Sequence, residues 1–155
     1  MPTRPLINIK DFITHKSQKL FIAGPCAVES ESQMFEIARF LKKIGIQVMR
    51  ASLFKPRTSP YSFQGLGADG LNILKNVKQQ SGLLLESEIV NLDSLDVLME
   101  HIDIFRIGAR NFQNKELLSE MSKIDKPVIL KRGFSSTIDE FLQSARSLLD
   151  GGNKQ

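Results

Sequence analysis

The 155-residue chain has one cysteine, Cys26, and two histidines, His15 and His101. A lone cysteine has no intramolecular partner, so a disulfide framework is excluded; a reducing, cytoplasmic compartment is the expectation, with the thiol left for other chemistry. The histidines show no metal-ligand spacing and read as surface or packing residues. Long apolar runs are also missing. The first twenty residues contain no signal-like apolar core, and the apolar stretches elsewhere are of strand length, so neither a secretory leader nor a membrane span is expected. No Pro/Ser-rich linker or low-complexity tract divides the sequence, which favours one domain. With 41% hydrophobic and 25% charged residues, the composition suits a soluble globular fold. The formal charge of +4 is a modest basic excess, compatible with nucleic acid, anionic lipid or phosphorylated small molecules, and the placement of the cations decides between them.

From Leu20 onward strand-like and helix-like segments alternate as five βα units. Leu20 to Ala23 reads as a buried strand, and Ser30-Glu31-Ser32-Gln33 as a capping box opening a helix with Met34, Ile37, Ala38, Leu41 and Ile44 on one face, ending at Gly45. Ile46 to Met49 is the second strand. A long Pro/Gly-bearing loop, 52–69, follows and leads into a helix over 70–80; loops of that length usually carry function. The third unit pairs a strand from Leu83 through Glu88 with a helix over 92–101, and the fourth pairs Ile102 to Ile107 with a helix capped by Asn114. Val128 to Leu130 is the fifth strand, and Thr137-Ile138-Asp139-Glu140 is a capping box for the last helix, which runs to Gly151. Apolar strands separated by helices indicate a parallel sheet covered by helices, an α/β architecture. Five units fit an open doubly wound sheet or part of an eight-unit barrel, and periodicity does not choose.

Three strands run into cations: Val48-Met49-Arg50, Ile107-Gly108-Ala109-Arg110 and Ile129-Leu130-Lys131-Arg132. The first strand leads to Cys26 and the third to Glu88. Parallel α/β folds gather the C-terminal strand ends on one rim, where ligands bind, so these residues are expected to converge. Arg and Lys without interleaved aromatics suit the phosphate and carboxylate groups of a small metabolite better than nucleic acid; solvated edge charges are the alternative for any single one. Lys55-Pro56-Arg57-Thr58-Ser59-Pro60-Tyr61 places two cations and hydroxyl donors on a proline-stiffened loop, suited to holding a phosphate, with a solvated basic turn as the competing reading. Gly65, Gly67 and Gly70 follow a loop and not a strand, so they are not a dinucleotide fingerprint. On its residue type alone, an isolated cysteine such as Cys26 is more often a small buried hydrophobe than a ligand.

Several segments are more specific. Phe21-Ile22-Ala23-Gly24-Pro25-Cys26-Ala27-Val28-Glu29-Ser30, then Arg50, Lys55-Pro56-Arg57-Thr58-Ser59-Pro60-Tyr61-Ser62-Phe63-Gln64-Gly65, Ile107-Gly108-Ala109-Arg110-Asn111 and Lys131-Arg132-Gly133 occur in this order. In these, the sequence from Leu20 onward resembles the compact bacterial and archaeal 3-deoxy-D-arabino-heptulosonate 7-phosphate (DAHP) synthases. The sister family making 3-deoxy-D-manno-octulosonate 8-phosphate shares Gly-Pro-Cys but typically has Ala-Asn where this chain has Pro56, which favours the heptulosonate branch.

The resemblance implies a TIM (β/α)8 barrel of which residues 20–155 supply the first five βα units, after a short segment 1–19. It implies condensation of phosphoenolpyruvate with erythrose 4-phosphate to DAHP and phosphate, the first step of the shikimate pathway, in a homo-oligomer when complete. It further implies a divalent metal, Mn, Fe, Co or Zn, ligated by Cys26. Lys55 would lie near the reacting centre. Arg50, Arg110 and Lys131 would hold phosphoenolpyruvate, Arg57 and Thr58 the sugar phosphate, and Glu88 would organise the site. Asn91 stands where this subtype often has Asp and Arg106 where it often has Gln, both outside the motifs. The family's His, Glu and Asp metal ligands lie on later strands, so this chain by itself is expected to be an incomplete enzyme. A remnant or phosphate-binding module without turnover is the non-catalytic alternative.

Overall fold

The structure, a computed structural model, describes residues 19–155. The expected N-terminal segment 1–19, Lys19 excepted, and His15 therefore lie outside the described residues. The chain divides into two compact units, Phe21–Arg106 and one containing Ile107–Gln155. The first comprises β1 (Ile22–Ala23), α1 (Glu31–Lys43), β2 (Val48–Arg50), a 3-10 turn Gly67–Gly70 leading into α2 (Leu71–Ser81), β3 (Leu84–Ile89), α3 (Leu92–Leu98) and the start of β4 (Ile104–Ile107). The second carries the end of β4, α4 (Lys115–Ser122), β5 (Val128–Leu130) and α5 (Ile138–Asp150).

Within the first unit β1, β2 and β3 are parallel, with Ile22 opposite Val48, Val48 opposite Leu84, and Arg50 opposite Glu86. β4 joins beside β3, where the Asp103 N–H donates to the Leu85 carbonyl at 2.9 Å. Within the second unit the Lys131 N–H donates to the Ile107 carbonyl at 3.0 Å, holding the end of β5 beside the end of β4. Strand neighbours follow chain order. A doubly wound sheet reverses direction partway, whereas a barrel adds each strand beside the last, so this order decides for the barrel series.

The pattern of apolar residues explains the packing. Met34, Ala38 and Leu41 of α1 and Leu74 and Val77 of α2 are buried, and so are Val48, Met49, Leu85 and Ile89 on the strands. Each such large side chain contributes roughly 1.5–3 kcal/mol of burial free energy. The helix starts are set by caps. Ser30 accepts from the Gln33 N–H at 3.2 Å, but the Gln33 side chain takes the Glu29 N–H, one residue before the predicted partner. Thr137 and Glu140 exchange both bonds as predicted. α3 is capped by an Asn91–Ser94 box and stops at Leu98, short of the predicted 101. There the His101 and Ile102 N–H groups both turn back to the Leu98 carbonyl, sending the chain into β4. In the second unit the buried Asn153 amide nitrogen lies 3.0–3.2 Å from the carbonyls of Met121, Ile124 and Lys126, tying the chain after α5 to the end of α4. Among the described residues no helix is long and apolar enough to cross a membrane.

Candidate active site

The site in the first unit begins with a close backbone approach. Gly24 has φ +146°, and a Cβ there would sit 2.6 Å from the Arg50 carbonyl oxygen, so the chain leaving β1 passes against the end of β2 in a way open to glycine alone. Beyond it, Ala27 and Val28 are buried and the Val28 N–H donates to the Ser52 carbonyl at 3.0 Å. Cys26, between these anchors, is exposed, and Arg50 Nη2 donates to its Sγ at 3.4 Å. The thiol is therefore not a core packing residue. Burial is the largest single influence and pushes it up, but the charges of Lys55 and Arg50, a hydrogen bond from Lys55 and the charge of Arg57 together outweigh this and hold it below the ordinary cysteine value.

The loop after β2 is closed upon itself. Its base is buried through Ala51, Ser52 and Leu53, and the Lys55 N–H donates to the Gln64 carbonyl at 2.8 Å. Gln64 Nε2 bridges the Ser59 and Ser62 carbonyls at 3.1 Å each, while Arg57 Nε donates to the Phe63 carbonyl at 3.4 Å. Gly65, at φ +99°, lies so close to Leu53 that a Cβ would collide with its carbonyl. The loop thus presents Arg57 and Thr58, both exposed, on a braced backbone.

Behind Cys26 and Lys55 is a buried ion network. Lys55 Nζ is 3.0 Å from Glu88 Oε2, and the same oxygen accepts from Arg106 Nη1 at 2.9 Å. Arg106 Nε donates to Glu86 Oε1 at 2.6 Å, and its Nη2 lies 3.5 Å from the hydroxyl of Ser52, which accepts the Glu88 N–H. Burial pushes Glu88 up, but the Lys55 hydrogen bond and the Arg106 charge prevail and hold its carboxyl below the usual range. Burial dominates at Glu86, whose carboxyl is raised despite Arg106. For Arg106 burial works against the charge, yet Glu86 and Glu88 overcome it and keep the guanidinium protonated. Glu86 Oε2 and Arg50 Nε are buried without a hydrogen-bond partner.

Because the folded pKa of Glu88 is depressed, the stability from its ion pairs is fully present above the unfolded glutamate value of about 4.3 and is lost as pH falls through the folded value. Glu88→Gln is expected to lower stability by about 1–3 kcal/mol at neutral pH and to flatten the acid limb of the stability curve. Urea melts from neutral pH into the acid range check this; parallel wild-type and variant curves would show that Glu88 is not the titrating group.

Of the residues predicted from sequence, Cys26, Arg50, Lys55 and Glu88 are brought together, with Arg57 close enough for its charge to act on the thiol. Arg110 and Lys131 belong to the second unit, both exposed, at the ends of β4 and β5. In the sequence Arg106 stood out only as a departure from the family pattern outside the motifs, and Glu86 and Ser52 did not stand out at all. Arg106 and Glu86 lie inside apolar strands, where a buried charge is unexpected; a charge in each of two adjacent strands was the available signal. The cleft between α1 and α2, about 450 Å³ and lined by Phe35, Ala38, Arg39, Lys42, Gln80 and Ser81, contains none of the site residues.

The profile of the DAHP synthetase I family matches residues 6–155. The chain belongs to this family. It is 44% identical over 152 residues to the phospho-2-dehydro-3-deoxyheptonate aldolase of Thermotoga maritima, covering 98% of this chain and 45% of that protein. It is 38% identical over 121 residues to a 2-dehydro-3-deoxyphosphooctonate aldolase of Desulfatibacillum aliphaticivorans, covering 74% of this chain and 44% of the relative. The crystal structure of the Thermotoga maritima DAHP synthase superposes with a TM-score of 0.79 at 48% identity, over 85% of this chain and 38% of that one. The chain thus spans about half the length of the relatives it matches, and its fold is the first five βα units of a TIM barrel of the DAHP synthetase I family.

Proposed function

We propose that this chain supplies the phosphoenolpyruvate-binding front half of a DAHP synthase, which condenses phosphoenolpyruvate with erythrose 4-phosphate in the cytoplasm as the first step of the shikimate pathway. The observation that carries the reading is the convergence of Cys26, Arg50, Lys55 and Glu88 at the ends of three adjacent strands. The greater identity to the heptonate relative than to the octonate relative, with Pro56 in the lysine loop, favours erythrose 4-phosphate over a pentose phosphate acceptor.

Arg50 and Lys55 bind the anionic groups of phosphoenolpyruvate, and Glu88 keeps the Lys55 ammonium at the strand ends. Arg110 and Lys131 take the same substrate through family resemblance. Arg57 and Thr58, braced on the closed loop, take the sugar phosphate. A divalent metal is part of the proposal. An exposed thiol held toward its thiolate form fits a ligand for Mn, Fe, Co or Zn; no group of three or more His, Cys, Asp or Glu converges among the described residues, and Cys26 is the ligand we assign to them. When bound, such a metal polarises the aldehyde as a Lewis acid.

The purified chain is expected to bind phosphoenolpyruvate and to form no DAHP when erythrose 4-phosphate and Mn are added, since one thiolate does not hold a catalytic divalent metal. Calorimetry and a product assay test this. Absence of phosphoenolpyruvate binding by the folded chain would refute the substrate assignment, and steady DAHP formation would refute the half-site reading.

A further inference from the structure

Arg106 divides its donors between two partners. Arginine–carboxylate pairs frequently form a two-pronged bond with one carboxylate, which satisfies both of its oxygens. Here the donors are divided between two carboxylates, Nε to Glu86 Oε1 and Nη1 to Glu88 Oε2. This division leaves Glu86 Oε2 buried and unpaired, which costs stability. What it achieves is placement of Glu88. The Glu88 backbone is held by the Ser52 hydroxyl at 3.2 Å, its side-chain Oε2 by Arg106 at 2.9 Å, and that same oxygen receives Lys55 at 3.0 Å. Glu88 is thereby shared between two cations. It tethers the Lys55 ammonium without cancelling its charge toward an incoming anion.

We propose that Arg106, with Glu86 as its dedicated counter-ion, is a positioning residue: through Glu88 it fixes the Lys55 ammonium for the phosphoenolpyruvate anion. The proposal rests on the reading of Lys55 as a phosphoenolpyruvate ligand. Lysine at position 106 has no planar fork and does not span both carboxylates.

The test compares wild type with Arg106→Met, Arg106→Lys and the double variant Glu86→Gln/Arg106→Met. The double variant removes the two buried opposite charges together, so the net charge near Lys55 is unchanged and no buried carboxylate is left at position 86 without its counter-ion. Two quantities are read in the 155-residue chain: the 15N–1H signal of the Lys55 ammonium, sharpened by its tether, and the dissociation constant for phosphoenolpyruvate. The expected result is loss of the sharp signal and roughly tenfold or weaker phosphoenolpyruvate binding in all three variants, including the double variant after its melting temperature has recovered. Recovery of signal and binding together with stability in the double variant would make Arg106 a structural ion pair and overturn the proposal, as would full rescue by Arg106→Lys. The ammonium signal needs no ligand. Failure of the wild-type chain to bind phosphoenolpyruvate, with the signal changing as expected, therefore counts against the substrate assignment and leaves the positioning role supported.

Discussion

Cys26→Ala in a full-length synthase carrying this segment is expected to lower DAHP formation by more than about a hundredfold and to reduce bound metal. Removing a group that merely orients a metal ligand already costs about ten- to a hundredfold in metal affinity or activity, so loss of a direct ligand should exceed that range. The stability effect should be small, because the thiol is exposed and fills no part of the core. That contrast is diagnostic: a packing cysteine would lose stability and keep metal, whereas a ligand loses metal and keeps stability. Elemental analysis, turnover and a melting curve on one preparation suffice. Near-normal metal content and turnover would remove Cys26 from the site.

The second large effect is expected at the loop. In a full-length synthase carrying this segment, Arg57→Ala should weaken erythrose 4-phosphate roughly ten- to a hundredfold and leave phosphoenolpyruvate little changed, while Arg110→Ala and Lys131→Ala should do the reverse. Arg57 sits on a loop whose backbone is braced by Gln64 and by the Lys55–Gln64 hydrogen bond, so its loss removes a donor without collapsing its surroundings. Arg110 and Lys131 close adjacent strands, whose ends are joined by the Lys131 to Ile107 hydrogen bond. Steady-state kinetics with each substrate varied in turn would display the split. Equal losses toward both substrates from all three substitutions would mean that the cations act as a shared field and not as two subsites.

Much of this was legible from residues one at a time. Alternating apolar strands and amphipathic helices announced five βα units, and β5 over Val128–Leu130 and the Thr137–Glu140 cap formed as the pattern required, because both depend on local chemistry. Helix ends were less legible. α3 stops at Leu98 although its apolar periodicity continues, since the chain has to enter β4 beside β3, a demand imposed from another part of the sequence. The site was readable to the extent that its residues end strands: Cys26, Arg50 and Glu88 were placed by the rule that parallel strands share a ligand-binding rim, and Lys55 by its loop.

What the sequence by itself determined was the inventory of units and the chemistry gathered at strand ends, because period, capping and turn preferences act over a few residues. Only the tertiary structure decided which strand lies beside which, and so chose the barrel series over a doubly wound sheet. It also decided the fate of the two charges inside apolar strands. Glu86 and Arg106 are twenty positions apart. They become a pair only when β3 and β4 lie side by side and exclude water, where an unpaired charge is too costly to keep and a shared one sets the position of its neighbours.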